Sequence, residues 1–460
     1  MKKKLLTIVS CLIIFACILT GCGAKALKGG PSASDTIYGN GGTVVRKGNY
    51  LYFANAYSTA AVDENDNKYG KETLSAIYRV KLNANGLVDT DDNGKVKNVE
   101  ILAKQIAGFN QSGIYIFGDY IYYATPKSLK VKSDIGSEEL LEGLLSFERV
   151  KLNGTKHKTV YSIKTKGEDL TYSYNYVDGK VCLTVLNNGK LTTVFSDGDT
   201  KTIATGVKSV VFPKVETIPA GYRASEFNSY VYYTRTATIA KDGYNGTLLA
   251  KKKITGNGRE TVLENGTDKT LEAAFNDRLY FKKDSKLYST ADFNFDTATQ
   301  YSANSLAGYK VVPADNGYDM GIVGVLNKSI VYYRGLGDYQ PLLTTDKTIT
   351  LLYIQDNSIY YTLGDDTLYS KVIYKNSYPA DEEDIAGTIH STGIKTSVSD
   401  TETVYDYEKD YFFYFNTVED SNGKYKYMHF VKHFEKDSQG ETFEQCIGTL
   451  ASSDIKKDEE

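Results

Sequence analysis

A short pattern of polar and apolar positions returns along most of the chain. In its clearest copy, Asp356-Asn357-Ser358-Ile359-Tyr360-Tyr361, a polar turn precedes an aliphatic residue and two aromatic residues. The eight copies occupy residues 48–53, 118–123, 178–183, 228–233, 276–281, 328–333, 356–361 and 409–414. Polar turn residues between β-prone runs predict a hairpin. A motif that recurs in this way predicts a repeat architecture.

Further strands are predicted after each hairpin, because short runs of alternating apolar and polar residues continue the pattern. Third strands are predicted at 77–82, 147–152 and 368–372, and fourth strands at 99–102, 159–161 and 260–263. Four short antiparallel strands per repeat form the blade of a β-propeller. The sequence therefore predicts an all-β chain built as a β-propeller of four-stranded antiparallel blades. Two β-sandwich domains are the rival architecture.

The spacing of the copies sets the expected number of blades. The first aromatic position falls at Tyr52, Tyr122, Cys182, Tyr232, Tyr280, Tyr332, Tyr360 and Phe413, which gives spacings of 70, 60, 50, 48, 52, 28 and 53 residues. A blade takes roughly 40–50 residues, so the first two units carry insertions. The spacing of 28 predicts a truncated unit at Tyr332 or two hairpins that share one blade. We expect eight blades, with seven as the alternative.

The propeller is expected to be a single domain over residues 37–452, followed by a charged tail at 453–460. Insertions are expected near 57–76, 83–100 and 126–146. The third insertion holds the one predicted helix, Ser137–Leu145, because Ser137 is a suitable N-cap and acidic residues follow it. We expect this helix to be a small lid or an outer decoration.

The N-terminus predicts export. Three lysines precede an apolar run from Leu5 to Leu19, which is too short for a comfortable membrane span. The run ends in Leu19-Thr20-Gly21-Cys22, which resembles a bacterial lipobox. The resemblance implies a signal peptide at 1–21, diacylglycerol on Cys22 and a place on the outer face of the cell membrane. The Gly, Ala, Lys, Pro and Ser residues that follow Cys22 predict a flexible tether within 22–36. An ordinary secretory leader or a signal anchor is the alternative.

The Ile-Tyr-Tyr strand, the Leu-Tyr strand that follows it and the lipobox resemble a family of uncharacterised propeller lipoproteins of clostridia-like Gram-positive bacteria. That family is similar in pattern to TolB-like and low-density-lipoprotein-receptor-like propellers. The resemblance covers roughly residues 40–450 and implies a propeller fold with lipid anchoring. The receptor-type Tyr-Trp-Thr-Asp pattern is absent, because the chain has no Trp.

Composition changes the picture in two ways. The chain has 39 Tyr, and those in the repeats are expected to pack between neighbouring blades. Six further tyrosines are predicted on exposed loops, where they would form a binding face, namely Tyr57, Tyr69, Tyr222, Tyr244, Tyr339 and Tyr378. Loss of the three leader lysines moves the net charge from −3 to −6, which argues against nucleic acid as a partner. Lys251–Lys253 is expected to be a solvated strand face.

One loop carries a pattern for metal binding. Residues 89–100 match Asp-x-[Asp/Asn]-x-[Asp/Asn]-Gly-x5-Glu, the calcium loop of EF-hands. Asp89, Asp91, Asn93, the Lys95 carbonyl and a bidentate Glu100 would supply the oxygen ligands that Ca²⁺ takes. The alternative is an acidic strand connection, because Asn93-Gly94 is by itself a strong hairpin turn.

The remaining candidates give little chemistry. The acidic clusters at 63–67 and 381–384 are expected to be solvated, and three cysteines remain after cleavage. Cys182 takes an aromatic position of the repeat and is expected to be a small core residue, paired with Cys446 or a free thiol. His429 and His433 share a face of a predicted strand but lie about 13 Å apart at about 3.3 Å per residue, too far to chelate one ion. His157 and His390 are the other histidines.

No nucleophile elbow, phosphate-binding loop or Cys-x-x-Cys pair occurs in the sequence. We therefore predict a non-enzymatic binding or scaffold module for a protein or envelope partner. The alternative is a glycan-binding or glycan-active propeller with an acidic, Tyr-lined central cleft, which would need a carboxylate pair.

Overall fold

The computed structural model describes residues 44–61, 73–89, 97–107, 114–128, 131–134, 137–140, 143–165, 170–214, 223–239, 244–275, 277–300, 307–313, 320–335, 338–355, 358–364, 367–372, 374–375, 378–379, 390–395, 411–420, 423–436 and 442–446. These residues are strands and turns apart from one 3₁₀ turn, Phe227–Ser229. In this part of the chain, no helix is long and apolar enough to cross a membrane. The chain divides into two compact units between Lys164 and Thr165.

The first unit contains two four-stranded sheets and one small hairpin. Sheet 1 consists of β1 (Val44–Lys47), β2 (Tyr50–Ala61), β3 (Thr73–Lys81) and β4 (Glu100–Ala107). Sheet 2 consists of β5 (Tyr115–Phe117), β6 (Tyr120–Ser128), β9 (Gly143–Lys151) and β10 (Lys158–Thr165). The strands β7 (Val131–Asp134) and β8 (Ser137–Leu140) pair with each other between β6 and β9.

The second unit begins with three sheets. Sheet 3 consists of β11 (Thr171–Val177), β12 (Lys180–Asn187), β13 (Lys190–Phe195) and β14 (Thr200–Thr205). Sheet 4 consists of β15 (Val207–Val211), β17 (Tyr230–Ile239), β18 (Tyr244–Lys253) and β19 (Thr261–Asn265). Sheet 5 consists of β16 (Pro213–Lys214), β20 (Thr270–Phe275), β21 (Arg278–Lys283), β22 (Lys286–Thr290) and β23 (Thr299–Gln300), with β16 parallel to β20.

Three more sheets complete the described part of the second unit. Sheet 6 consists of β24 (Ala307–Pro313), β25 (Met320–Leu326), β26 (Ser329–Gly335) and β27 (Asp338–Thr344). Sheet 7 consists of β28 (Ile349–Gln355), β29 (Ser358–Leu363), β30 (Thr367–Val372) and β33 (His390–Lys395), with β31 (Tyr374–Lys375) and β32 (Tyr378–Pro379) paired separately. Sheet 8 consists of β34 (Tyr411–Asp420), β35 (Gly423–Lys436) and β36 (Thr442–Cys446).

These sheets confirm the predicted fold class. Within most sheets, strands that follow one another along the chain are antiparallel neighbours, which is the arrangement of propeller blades. The predicted third and fourth strands overlap β3, β9, β30, β4, β10 and β19, with ends that differ by up to five residues. The number of blades stays a prediction.

The repeated hairpin has the expected turn geometry. Lys47 pairs with Tyr50 and Phe117 pairs with Tyr120, so each loop has two residues. Gly48 and Gly118 have φ of 59° and 58°, as the tight turns of hairpins require. The end of the third strand of sheet 2, β9, is hydrogen-bonded to this turn, because the N–H of Leu152 donates to the Asp119 carbonyl at 2.8 Å.

The aromatic positions of the repeat are used for packing between consecutive sheets, as predicted. Tyr332 of sheet 6 shares a buried cluster with Ile359 and Tyr361 of sheet 7. The same relation joins sheets 1 and 2 through Tyr52 and Tyr123, sheets 3 and 4 through Cys182 and Tyr233, sheets 4 and 5 through Tyr232 and Leu279, and sheets 5 and 6 through Tyr280 and Tyr333. The first aromatic residue of one sheet thus packs against the aliphatic or second aromatic residue of the next.

The predicted helix at Ser137–Leu145 is wrong. Residues 137–140 form β8, which pairs with β7, and β9 begins at Gly143. Leu144 and Leu145 lie opposite Ser128 and Pro126 of β6. Backbone pairing with these strands outweighs a weak local helix preference.

The short spacing near Tyr332 has a different explanation from either one expected. Sheet 6 has four strands, and the next hairpin starts a sheet of its own, so no blade is shared. The motif lies on the third strand of sheet 6, β26, but on the second strand of sheet 7, β29. Sheet 6 has two strands, β24 and β25, before its motif strand, whereas sheet 7 has one, β28, and this shift shortens the interval.

The expectation of a solvated face at Lys251–Lys253 is wrong for two of its three residues. Only Lys253 is exposed. The ammonium group of Lys251 lies 4.7 Å from the ring centre of Tyr230, and the Nζ of Lys252 donates to the Ile203 carbonyl at 3.0 Å. Successive side chains of a strand point to opposite faces, so Lys251 and Lys252 make these contacts on opposite faces of the sheet.

Candidate functional site

Two ends of the predicted calcium loop lie in the described part of the chain. The Asp89 carbonyl accepts from the Lys97 N–H at 2.7 Å, and the Asp89 carboxylate accepts from Asn83 Nδ2 at 3.1 Å. Glu100 Oε2 accepts from Arg79 Nε at 2.6 Å. The other predicted ligands, Asp91, Asn93 and Lys95, lie outside the described residues. Calcium binding stays a prediction, and Ca²⁺ would have to share Glu100 with Arg79.

Arg79 ties sheet 1 to sheet 2. Its side chain is fully buried, and Nη1 donates to the Leu152 carbonyl at 3.2 Å. The guanidinium also lies 5.2 Å from the ring centre of Tyr50. Lys47 makes a similar tie, since its buried ammonium group donates to the Gly118 carbonyl. These two cations stabilise the contact between consecutive sheets.

A cation beside an aromatic ring recurs next to the repeated turns. Arg149 lies 4.7 Å from the ring centre of Tyr120, as Arg79 and Lys251 lie near Tyr50 and Tyr230. The strand register explains the recurrence. Arg79, Arg149 and Lys251 pair across the strands with Tyr52, Tyr122 and Tyr232. Each of these three tyrosines lies two residues after the tyrosine whose ring contacts the cation. A cation over a ring is worth about 0.5–2 kcal/mol, depending on exposure.

Sheet 3 contains the same pair with the two partners exchanged. Lys180 stands at the position of Tyr50, Tyr120 and Tyr230, and it lies 5.5 Å from the ring centre of Phe195 on the third strand. Lys201 lies 5.9 Å from the same ring. We call Tyr50/Arg79, Tyr120/Arg149, Lys180/Phe195 and Tyr230/Lys251 the turn-end cation–aromatic pairs. Arg149 and Lys251 are half-buried, and Lys180 is exposed.

A tyrosine–carboxylate cluster lies in sheet 4. The Tyr233 hydroxyl donates to Glu260 Oε2 at 2.6 Å, while Arg235 donates to both carboxylate oxygens at 2.9 and 2.5 Å. The hydrogen bonds from Arg235 hold the pKa of Glu260 below its usual range, with the Tyr233 bond acting in the same direction. Burial, followed by the bond to Glu260, raises the pKa of Tyr233.

A related cluster lies at the same motif position in sheet 2. The Tyr123 hydroxyl lies 3.2 Å from Glu148 Oε2, to which it donates, and 2.7 Å from His157 Nε2. Thr159 donates to Glu148 Oε1 at 3.3 Å. His157 Nδ1 lies 3.6 Å from Glu148 Oε2. The Tyr123 and Glu148 side chains are buried, whereas His157 is 36% exposed.

The cysteine and histidine predictions have mixed outcomes. Cys182 is a buried free thiol, as the core interpretation expected, and burial raises its pKa to about 12. Cys446 lies in β36, and His429 and His433 lie in β35. In the described part of the chain, no group of three or more His, Cys, Asp or Glu residues has metal-binding geometry. The clusters at 63–67 and 381–384, and Cys22, lie outside the described residues.

The expected loop location is wrong for four of the six candidate tyrosines. Tyr57, Tyr244, Tyr339 and Tyr378 lie in β2, β18, β27 and β32. Tyr favours strands, and the strands of this chain extend further than the motif alone indicates. Tyr69 and Tyr222 lie outside the described residues.

Sequence reasoning missed the turn-end pairs and both tyrosine–carboxylate clusters. The signal for the pairs is present in the sequence, because the third strands of sheets 1 and 2 contain the same four residues, Arg79-Val80-Lys81-Leu82 and Arg149-Val150-Lys151-Leu152. Aligning those strands with their hairpins would have placed each cation beside its ring. The clusters carry no such signal, because Glu148 lies on the third strand of sheet 2 whereas Glu260 immediately precedes the fourth strand of sheet 4, so no repeated sequence marks them.

No protein-family model matches the chain, and no curated protein matches it. Among solved structures, the Pyrococcus horikoshii acylaminoacyl peptidase is 12% identical with a TM-score of 0.38, covering 76% of this chain and 54% of the peptidase. The β-propeller domain of the trilobed protease from Pyrococcus furiosus is 11% identical with a TM-score of 0.34, covering 73% of this chain and 93% of that domain.

TolB from Acinetobacter baumannii is 11% identical with a TM-score of 0.26, covering 72% of this chain and 80% of TolB. The chain thus spans about half the length of the peptidase and most of the length of the other two. At these identities and TM-scores, the likeness carries no information about ligand or activity.

Proposed function

We propose that the chain is a lipid-anchored, extracytoplasmic binding module that presents its turn ends to an acidic protein or envelope partner. The turn-end cation–aromatic pairs carry this proposal. Arg149, Lys180 and Lys251 are held by aromatic rings. Among the described residues, none of these three cations lies within 4.0 Å of a carboxylate oxygen.

The rest of the repeat supports a scaffold role. Its aromatic residues are buried between sheets, so the blades form a rigid base on which the turns are fixed. Functional groups on loops and turns held by a rigid scaffold are common in binding proteins. Cations at fixed positions steer an acidic partner with little loss of side-chain freedom.

Charge reversal tests the proposal. Purified full-length chain is mixed with envelope fragments from its own bacterium, and the bound fraction is measured by co-sedimentation at graded salt. We expect Lys180→Glu and Lys251→Glu each to weaken binding and its salt dependence. Lys190→Glu is the matched control, because Lys190 is exposed at the opposite end of a sheet 3 strand. Binding that is absent, or equal in all variants, contradicts the proposal.

Lipid anchoring at Cys22 is a separate part of the proposal. Two acyl chains hold a protein firmly, at about 0.8 kcal/mol per buried CH₂, whereas one chain holds it marginally. Cys22→Ala should therefore release the protein from membranes. Cys17→Ala is the control, because residue 17 lies within the predicted signal peptide. Retention of Cys22→Ala that requires detergent for release refutes anchoring.

Calcium binding by residues 89–100 also remains a proposal. Calorimetric titration of the full-length chain should show Ca²⁺ binding that Asp91→Asn weakens. Asp66→Asn, in the other N-terminal acidic cluster, should leave the binding unchanged. A flat trace at millimolar Ca²⁺ overturns the proposal. Glu100 is a poor choice for this test, because its loss also removes the counter-ion of Arg79.

A further inference from the structure

One side chain of sheet 5 lies on an aromatic surface of sheet 4. Residues 291–298 connect β22 to β23, and we call this segment the strap. The Phe293 ring of the strap stacks on Phe227 with ring centres 6.1 Å apart, and its centre lies 5.6 Å from that of Tyr232. Lys251 Nζ lies 4.3 Å from the centre of the same Phe293 ring. We call Phe227, Tyr232 and Lys251 the ring seat, because together they hold one phenyl group.

The strap has an unfavourable backbone conformation at the residue that fills the ring seat. Phe293 has φ of 61°, in the left-handed region. The other described non-glycine residues with positive φ are polar or charged, namely Asn98, Lys156, Asp178, Asn188, Asp277, Asp284, Ser285, Asn327 and Lys328. A bulky side chain in this region is disfavoured and persists only where its surroundings hold it. The contacts with the ring seat thus hold Phe293 in a conformation that its backbone disfavours.

The strap supplies a ring to the seat but no charge. Asp292 Oδ1 accepts from Thr290 Oγ1 at 2.9 Å and from the Asn294 N–H at 3.0 Å, so this carboxylate is bonded within its own segment. Among the described residues, no carboxylate oxygen lies within 4.0 Å of Lys251 Nζ. The apolar part of the ring seat is therefore filled, whereas its cation has ring contacts and no ion-pair partner in the described part of the chain.

We infer that the ring seat is a docking site for a protein segment with an aromatic residue next to an acidic one, and that the strap occupies this site in place of that segment. A partner segment would place its ring on Phe227 and Tyr232 and its carboxylate on Lys251, a contact that the strap does not make. A ligand displaces an internal segment only through such a difference in interactions. The inference rests on the proposed function, because it names the acidic partner of the sheet 4 turn end.

Calorimetric titration of the purified full-length chain with a synthetic peptide tests the inference. The peptide has the sequence of residues 292–296, which omits Thr290 and so leaves the Asp292 carboxylate free to reach Lys251. Phe293→Gly empties the ring seat, and glycine adopts positive φ without strain. We expect this variant to bind the peptide at least tenfold more tightly than the wild type, in which the strap competes. Phe293→Asn is a second variant, because Asn also tolerates positive φ; circular dichroism checks that both fold.

Three controls separate the ring from the charge. A peptide with Asp292→Asn should bind the Phe293→Gly chain about three- to fivefold more weakly, as expected for loss of a partly exposed ion pair. Adding Lys251→Met to this chain should remove the difference between the two peptides. Asp284→Gly changes a residue of sheet 5 that has positive φ but lies outside the strap, so this variant should bind the peptide like the wild type.

The results can overturn the inference in three ways. No binding by Phe293→Gly and Phe293→Asn up to about 1 mM peptide, the weakest affinity of interest for a docking segment, overturns it. Equal affinity of the wild type and both variants also overturns it, as does equal affinity for the two peptides. The assay contains no envelope material, so its outcome is separate from the co-sedimentation test: peptide binding without envelope binding would contradict the proposed function alone.

Discussion

Removal of the charge on Glu100 should loosen sheet 1 from sheet 2. Arg79 is fully buried and donates to Glu100 at 2.6 Å and to the Leu152 carbonyl at 3.2 Å. Glu100→Gln leaves the guanidinium buried without its counter-ion. Arg79→Met removes the charge and both hydrogen bonds while keeping a long apolar side chain. The double variant removes the whole arrangement.

Burial sets the expected magnitude. Loss of one partner of a buried ion pair costs about 3–5 kcal/mol. The Glu100 side chain is 35% exposed, so water partly replaces it, and we expect about 2–3 kcal/mol for Glu100→Gln. Arg79→Met loses a charged hydrogen bond, about 1.5–3 kcal/mol, and the contact with the Tyr50 ring. The double variant should cost less than the sum, with a coupling energy of about 1–3 kcal/mol.

Hydrogen exchange read by mass spectrometry is the suitable assay, because a chain with two compact units need not unfold in one step. Peptides covering β3 and β9 should exchange faster in Glu100→Gln, whereas peptides of sheet 6 should not change. A coupling energy below about 0.5 kcal/mol, the usual limit of additivity, would refute the reasoning. Equal acceleration in all sheets would also refute it.

Three further predictions concern the second unit. The pKa of Glu260 is lowered, so the stability that its charge contributes is present at neutral pH and is lost as the pH falls below about 4. Urea unfolding of Glu260→Gln should therefore show a smaller loss of stability from pH 7 to pH 3 than unfolding of the wild type. Cys182, with its pKa of about 12, should resist thiol reagents at pH 8 until the chain unfolds; rapid native labelling would contradict its burial. Gly256→Ala should lower the free energy of unfolding by about 1 kcal/mol more than Gly258→Ala. Both glycines have positive φ, but a Cβ at Gly256 would lie 2.9 Å from Lys201 Cβ, whereas nothing lies within 4 Å of a Cβ at Gly258. Equal unfolding midpoints would show that Lys201 moves aside.

The strands and hairpins could be predicted because their determinants are local. The turn at Gly118-Asp119 and the alternation in β6 lie within a few residues of each other, so the sequence contains both the turn type and the buried face. The role of Tyr332 in packing followed from the same alternation.

The sites depend on register, which the sequence leaves open. Glu148 meets Tyr123 only because β6 and β9 pair across the insertion that contains β7 and β8. An insertion of that length does not fix the register in the way that a two-residue turn does. The wrong helix at Ser137–Leu145 arose in the same segment, where long-range pairing outweighs local preference.

Packing between consecutive sheets has a consequence for how such a chain can change length. Each four-stranded sheet carries both surfaces of the contact between sheets. Its first aromatic position packs against the following sheet, and its aliphatic residues pack against the preceding sheet. A duplicated sheet would therefore find compatible surfaces on both sides, and no new kind of contact would have to arise. Gain or loss of a unit in evolution would preserve the core, while the segments between strands diverge and acquire separate ligands.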